Sequence, residues 1–273
     1  MCDTCGCTVT SANEHLLKPG GVLYQTRTGT ESVVLLRNLL SENDRTAAHN
    51  REHFDAHRVL AVNLMSSPGA GKTSLLERTI DELGGQLRFG VIEGDLATDN
   101  DARRVRAKGV PAVQITTGSA CHLDAHMVHD ALHEIELGSL DVLFIENVGN
   151  LVCPASFDLG QHVNVTLLSV PEGDDKPQKY PVMFRTADVL LLSKADLLPV
   201  LPEFDPAGAE SSLRAIGSEA PMLRVSSRGS DGIRTWCDWL LQVRSRYLAQ
   251  LTAGATIRPI IPVDDAHLHP SQP

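Results

Sequence analysis

The run VLAVNLMSSPGAGKTSLLE (59–77) constrains the fold more than any other stretch of the chain. VLAVNLM (59–65) is a short apolar run and reads as a buried strand. A Gly-rich turn follows, then helical periodicity over 73–83. Strand, glycine turn and helix N-terminus in that order make an anion cradle, with backbone N–H groups and the helix dipole converging on one point. From Ser66 to Thr73 the stretch matches a Walker A phosphate loop, except that Ser66 stands where the pattern has glycine. Gly69 and Gly71 let the backbone wrap a phosphate, Lys72 reaches the outer phosphates, and Thr73 is placed to ligate Mg²⁺.

The rest of the chain is read around this loop. Strand-like runs recur at 87–92, 111–116, 141–146, 163–170, 188–193 and 221–226. Helical patterns lie at 31–58, 99–108, 120–137 and 231–250. Strands alternating with helices imply an α/β fold: a P-loop NTPase with a mostly parallel sheet and helices on both faces. The expected organisation is a Cys-rich metal-binding tail and linker over 1–30, a P-loop domain with its N-terminal helix over 31–252, and a disordered tail over 253–273. Aromatics make up only 4% of the 273 residues, so the core must rest on Val, Leu, Ile and Ala. The formal charge of −10 argues against a nucleic-acid binder, which needs a basic face. No apolar stretch approaches the roughly 18 residues of a membrane span, and the N-terminus has neither the basic start nor the apolar run of an export signal. A cytoplasmic protein without a membrane partner is expected.

Three further segments suit the phosphate loop. DVLFIENVG (141–149) is an apolar strand ending in Glu146, which would hold Mg²⁺ through water or position the attacking water. Gly149 would let the backbone approach the γ-phosphate. EGDLATDNDA (93–102) offers Asp95 as a second Mg²⁺ neighbour. DVLLLSKAD (188–196) ends in Ser-Lys-x-Asp; a carboxylate there accepts two hydrogen bonds from guanine, and adenine has no matching donor pair. The nucleotide-binding set is thus Gly69, Ala70, Gly71, Lys72, Thr73, Ser74, Gly149, Lys194 and Asp196. The catalytic set is Lys72, Thr73, Asp95 and Glu146.

The cysteines suggest metal. Cys2, Cys5 and Cys7 fall within the opening MCDTCGC, too tight for an unstrained disulfide. Three thiolates in that spacing can wrap one ion, with the terminal amine as a fourth ligand, and such a set suits both Ni²⁺ and Zn²⁺. A second candidate combines Cys121, His122 and Cys153. Cys121 is expected at the start of a helix, where the dipole favours thiolate. Loops following parallel strands share one edge, so this group and the nucleotide should lie together. His49, His53 and His57 form one helical stripe, read as a polar face in preference to a weak metal site. His126, His129 and His133 are read as solvated or packing residues, and Cys237 as a core thiol.

Taken in order, MCDTCGC, SSPGAGKTSLLE, VIEGDLATDNDA, TTGSACHLDA, IENVGNLVCP, SVPEGDDKPQKYP and LLSKADLLP resemble the HypB family, the hydrogenase nickel-incorporation GTPases within the dimerising P-loop branch. The resemblance spans about 200 residues. It implies slow GTP hydrolysis to GDP, nickel at the N-terminal cysteines, and a metal shared across a GTP-favoured homodimer by Cys121, His122 and Cys153. It also implies a small zinc-containing, nickel-binding maturation partner and a hydrogenase large-subunit precursor as target. One position departs from the family: Ser193 replaces the asparagine of the guanine motif, removing an amide that supports loop and base. A passive nickel or zinc store and a P-loop small-molecule kinase are the competing readings. The latter should prefer ATP.

Overall fold

The computed structural model describes residues 29–259 apart from Ala97, Ser119, Ser230 and Asp231, and only the backbone of 29–39. The proposed N-terminal clasp, most of the linker and residues 260–273 of the C-terminal tail lie outside the described residues.

Seven strands form one sheet, all paired in parallel: β1 (Leu60–Ser66), β2 (Phe89–Asp95), β3 (Ala112–Thr116), β4 (Val142–Glu146), β5 (Val163–Ser169), β6 (Val189–Ser193) and β7 (Met222–Arg224). Their order is β3-β2-β4-β1-β5-β6-β7. Every residue of β1, β4, β5 and β6 is buried, as a parallel sheet covered on both faces requires. One face packs Leu64, Val91 and Phe144 against α2 (Lys72–Leu83) and α8 (Ile233–Thr252), where Trp236 donates its indole N–H to Thr79 Oγ1 at 2.8 Å. The other packs Ile92, Leu143 and Ile145 against α1 (Gly29–His57) and α4 (Ala125–Leu132). Beyond β6 a third cluster gathers Phe184 and Leu213 from α6 (Pro181–Arg185) and α7 (Pro206–Ala215). The elements α3 (Asn100–Arg106) and α5 (Lys176–Lys179) are short. Cys237 is buried in the first cluster, and burial pushes its thiol up to about 11, as a core thiol should behave.

Two differences from the sequence reading have local causes. The helix expected over 120–137 begins only at Ala125, because Asp124 caps it by accepting from Met127 N at 2.8 Å. Cys121 therefore precedes the helix by about a turn instead of opening it. The helix α7 was not anticipated. Its signals were present all the same: Asp205 accepts from Ala207 N, and Pro206 occupies the first turn.

The C-terminal half of α1 is bolted to the domain by polar contacts. Arg51 Nη2 reaches both Asp158 oxygens at 2.7 and 2.9 Å, and both residues are buried. Asn43 donates to Asp158 O and accepts from Ala125 N. Asn50 donates to Ala125 O and Leu159 O. Each buried amide finds partners, so α1 and the start of α4 are held in one register.

Candidate functional site

The carboxyl ends of the central strands converge on the turn between β1 and α2. Gly69 and Gly71 have φ of 76° and 101°, values that favour glycine, and they turn the backbone back toward the N-terminus of α2. Lys72 and Thr73 follow at once, both buried. Lys72 Nζ lies 3.3 Å from Ser66 Oγ, so the residue that replaces the first Walker glycine contacts the loop lysine. Ser74 Oγ accepts from Arg104, which also pairs with Glu77. Gly149 packs directly on the phosphate loop. A Cβ there would sit 2.8 Å from Pro68 Cα, so its missing side chain makes room for the phosphate loop itself.

Beside the loop lies a group of three acids, two of them buried. Glu93 and Glu146 are register partners on β2 and β4. Asp101 of α3 joins them, and one oxygen from each of the three falls within 4.8 Å of the others. Thr73 donates its hydroxyl to Glu146 Oε1 at 2.8 Å. Glu93 Oε2 and Glu146 Oε2 are buried with no hydrogen-bond partner. Burial, reinforced by Glu146, pushes Glu93 up to about 8. Burial lifts Glu146 to about 7 against the opposing pull of Lys72. An oxygen-only group with two orphaned buried oxygens beside a threonine hydroxyl fits a hard divalent cation such as Mg²⁺. Asp95 is outside this group. Its carboxylate accepts from Leu96 N, Thr98 N and Thr98 Oγ1, closing its own turn, and these bonds hold its carboxyl below the usual range. The sequence reading singled out Asp95 and passed over Glu93 and Asp101. The strand register that brings Glu93 beside Glu146 was the missing information.

The Ser-Lys-x-Asp segment closes the other side. Lys194 has φ 56°, an uncommon conformation for a side-chain-bearing residue, and the turn it makes carries Asp196. Asp196 Oδ1 accepts from Ser226 Oγ at 2.6 Å, a partner that nothing in the sequence pattern flagged. Ser193 Oγ donates to Ala70 O at 2.7 Å, with both residues buried. The serine thus ties this segment to the phosphate loop. Ser193→Ala is expected to weaken GDP and GTP binding about threefold to tenfold, the worth of one buried hydrogen bond, with little loss of fold. Titration with a fluorescent guanine nucleotide checks this.

Cys121, His122 and Cys153 come together as the sequence suggested. The sulfurs of Cys121 and Cys153 lie 3.0 Å apart, and His122 Nδ1 lies 3.8 Å from Cys121 Sγ. Their ligand atoms fall within 4.8 Å of one another. His122 stacks on Phe157 at 3.9 Å, and burial drives its imidazole down to about 4, so it is neutral near pH 7 with a lone pair to offer. Two thiols and a neutral imidazole make a donor set for Ni²⁺ or Zn²⁺. The group is joined to the nucleotide side through the segment after β4. Asn147 accepts from Leu123 N at 3.1 Å and donates to Asn63 Oδ1 of β1 at 3.3 Å. Asn150 donates to Cys121 O at 3.4 Å. No described helix is long and apolar enough to cross a membrane.

Comparison with known proteins agrees with this architecture. Residues 60–224 match the model of the CobW/HypB/UreG nucleotide-binding domain. The hydrogenase maturation factor HypB of Azotobacter vinelandii is 52% identical over 212 residues, 78% of this chain and 70% of that protein. The crystal structure of HypB from Helicobacter pylori in complex with nickel superposes with a TM-score of 0.72 at 44% identity, covering 75% of this chain and 96% of that one. HypB from Archaeoglobus fulgidus gives 0.70 at 38% identity, over 75% of this chain and all of the other. A phosphate loop, a parallel sheet and the paired cysteines beside it, in a chain this close to these proteins, place it in the CobW/HypB/UreG family and, within that family, among the hydrogenase maturation factors of the HypB type.

Proposed function

We propose that this chain is a GTP-hydrolysing nickel metallochaperone that loads a nickel-iron hydrogenase precursor. In this reading Lys72 and the backbone of Gly69–Thr73 hold the phosphates, with Ser74 beside them. Thr73, Glu146, Glu93 and Asp101 would hold Mg²⁺, which supplies charge neutralisation at the phosphates. Asp196, held by Ser226, and Lys194 select guanine. Asp95 serves by shaping its loop. Nickel would sit on Cys121, His122 and Cys153, and a second ion, Ni²⁺ or Zn²⁺, on Cys2, Cys5 and Cys7. The protein would work in the cytoplasm as a GTP-favoured homodimer, with a small nickel-binding maturation partner.

One observation carries the reading: the segment from Glu146 to Cys153 touches both candidate sites. Gly149 packs on Pro68 of the phosphate loop, while Asn147 and Asn150 bond to the segment bearing Cys121. A γ-phosphate that shifts Pro68 must move Gly149, because there is no space between them. Asn150 and Cys153 would then move with it. The differential contact that effector logic demands is the γ-phosphate itself.

The test measures Ni²⁺ affinity of the full chain with GDP and with a non-hydrolysable GTP analogue, following thiolate-to-nickel absorbance, alongside GTP turnover. A threefold or greater difference between nucleotides is expected. Cys153→Ser should abolish both that difference and about one equivalent of bound nickel. Equal affinities in the two nucleotide states, or no turnover of GTP above background, would overturn the reading.

A further inference from the structure

The histidines of α1 and α4 do not behave as two independent polar stripes. His49 and His53 lie one turn apart on α1, and His129 approaches them from α4. Ring centroids stand 4.4 Å apart for His49 and His53, 5.2 Å for His49 and His129, and 6.0 Å for His53 and His129. One ring nitrogen from each lies within 4.8 Å of the others. Nε2 of His53 is 3.0 Å from Nε2 of His49. Two imidazole nitrogens sharing a tetrahedral ion at about 2.0–2.1 Å stand roughly 3.3 Å apart, so this pair is near bridging distance already.

A second observation points the same way. Asn50 uses its Nδ2 to donate to Ala125 O and Leu159 O at 2.8 and 3.1 Å, which fixes the direction of its amide. Its Oδ1 is thereby presented as an acceptor, 3.0 Å from His129 Nδ1. His129 must carry its proton on Nδ1, and its Nε2 keeps a lone pair. An imidazole with one nitrogen held by a buried amide, leaving the other as the donor, is arranged as metal-binding histidines are. The Glu52 carboxylate lies 3.9 Å from His49 Nδ1 and adds negative charge beside the group. Access is open on two sides. A hollow of about 360 Å³ reaches His53 and His129 past His57 and His133, and another of about 310 Å³ reaches His49 and His129 past Glu42 and His126.

We propose that His49, His53 and His129 form a further metal site, for a borderline divalent ion of the Ni²⁺ or Zn²⁺ class. All three donors are nitrogen, which excludes Mg²⁺ and Ca²⁺ as occupants. The site contains no sulfur, so it binds by a chemistry distinct from both cysteine groups. It is held open at fixed geometry by the same Asn43 and Asn50 bonds that lock α1 to α4. The ion would replace the His49–His53 contact and clamp the two helices together. The inference stands apart from the nucleotide-driven reading, since none of these residues touches the phosphate loop or the paired cysteines in any contact described above.

The test uses the full chain with Cys2, Cys5, Cys7, Cys121 and Cys153 replaced by serine, equilibrated with Ni²⁺ or Zn²⁺ alone. One equivalent should remain bound, with an X-ray absorption spectrum showing nitrogen and oxygen neighbours only. Adding His53→Ala should weaken that binding at least about tenfold, as should His49→Ala. If the five-serine chain fails to fold, the native chain answers instead: His53→Ala should remove one equivalent while leaving thiolate-to-nickel absorbance unchanged. No sulfur-independent equivalent, or the same affinity in the His49 and His53 variants, would overturn the proposal and leave a hydrogen-bonded histidine pair between two helices.

Discussion

Lys72→Ala should lower GTP turnover by at least about 100-fold and leave metal binding by the cysteines intact. The lysine is the cation that the turn between β1 and α2 presents beside the loop glycines, and only 8% of its surface is exposed. A buried ammonium aimed at a phosphate stabilises charge that builds up in the transition state, where water cannot substitute for it. Removal of one such donor costs on the order of 3–4 kcal/mol of transition-state stabilisation. The same change withdraws the charge that opposes burial at Glu146, so the glutamate should hold its proton more tightly still. The paired cysteines sit on other segments and should keep their ion. A carrier timed by GTP would then hold nickel but fail to pass it to a hydrogenase precursor. The measurements are single-turnover GTP hydrolysis, nickel stoichiometry and nickel transfer to precursor. Turnover within tenfold of the native protein would contradict the role given to Lys72. Normal transfer by an inactive variant would instead favour a passive store.

The fold was legible because its signals are local. Seven apolar runs separated by helical periods lead to a parallel sheet, and the Ser66–Thr73 pattern marks which strand feeds the phosphate loop. Cys121 and Cys153 were legible as neighbours for a topological reason: loops after parallel strands crowd one edge whatever their distance in sequence. The failures all turn on lateral information. Glu93 matters because β2 lies beside β4 in a register that sets it opposite Glu146, and no feature of the stretch 93–102 announces that neighbour. Ser226 matters through Asp196, from a segment 30 residues away. Ser193 looked like a loss because the sequence shows which side chain is absent and not which carbonyl, that of Ala70, the smaller one reaches. Periodicity describes one helix at a time, so it places His49 and His53 on one stripe and does not show that His129 of α4 comes beside them.

The metal-free protein should lose stability as pH rises from about 6.5 to 8.5, and Glu93→Gln should remove most of that loss. Glu93 and Glu146 are each 3% exposed, on adjacent strands, with a buried oxygen apiece left without a partner. Their folded values, about 8 and about 7, lie above those of a glutamate in the unfolded chain. The folded state therefore holds protons that the unfolded state has released. The slope of stability against pH is negative wherever the native state binds more protons, so this contribution is fully present below about pH 4.5 and is lost as pH rises through 7 and 8. The difference between the native and Glu93→Gln profiles isolates the acids. His53, His122, His129 and His162 are held down mainly by burial and act with the opposite sign; because an unfolded histidine titrates at about 6.5, part of their effect extends into the window, in native and variant protein alike. Asp188, raised to about 6 by burial, and Cys237, raised to about 11, add small terms at the two ends of the window that the variant shares. Across the window Glu93 and Glu146 together should cost on the order of 2–3 kcal/mol, which is about ten times the uncertainty of a well-determined urea midpoint difference. Glutamine keeps the shape of Glu93 and removes its charge. Urea unfolding at pH 6.5 and 8.5, for native and variant protein, checks the effect. Millimolar Mg²⁺ should flatten the native profile as well, because a cation stabilises the ionised pair that protons otherwise neutralise. A native profile that is flat without Mg²⁺, or one that Glu93→Gln leaves unchanged, would show that the two carboxylates are not the strained acids their burial makes them.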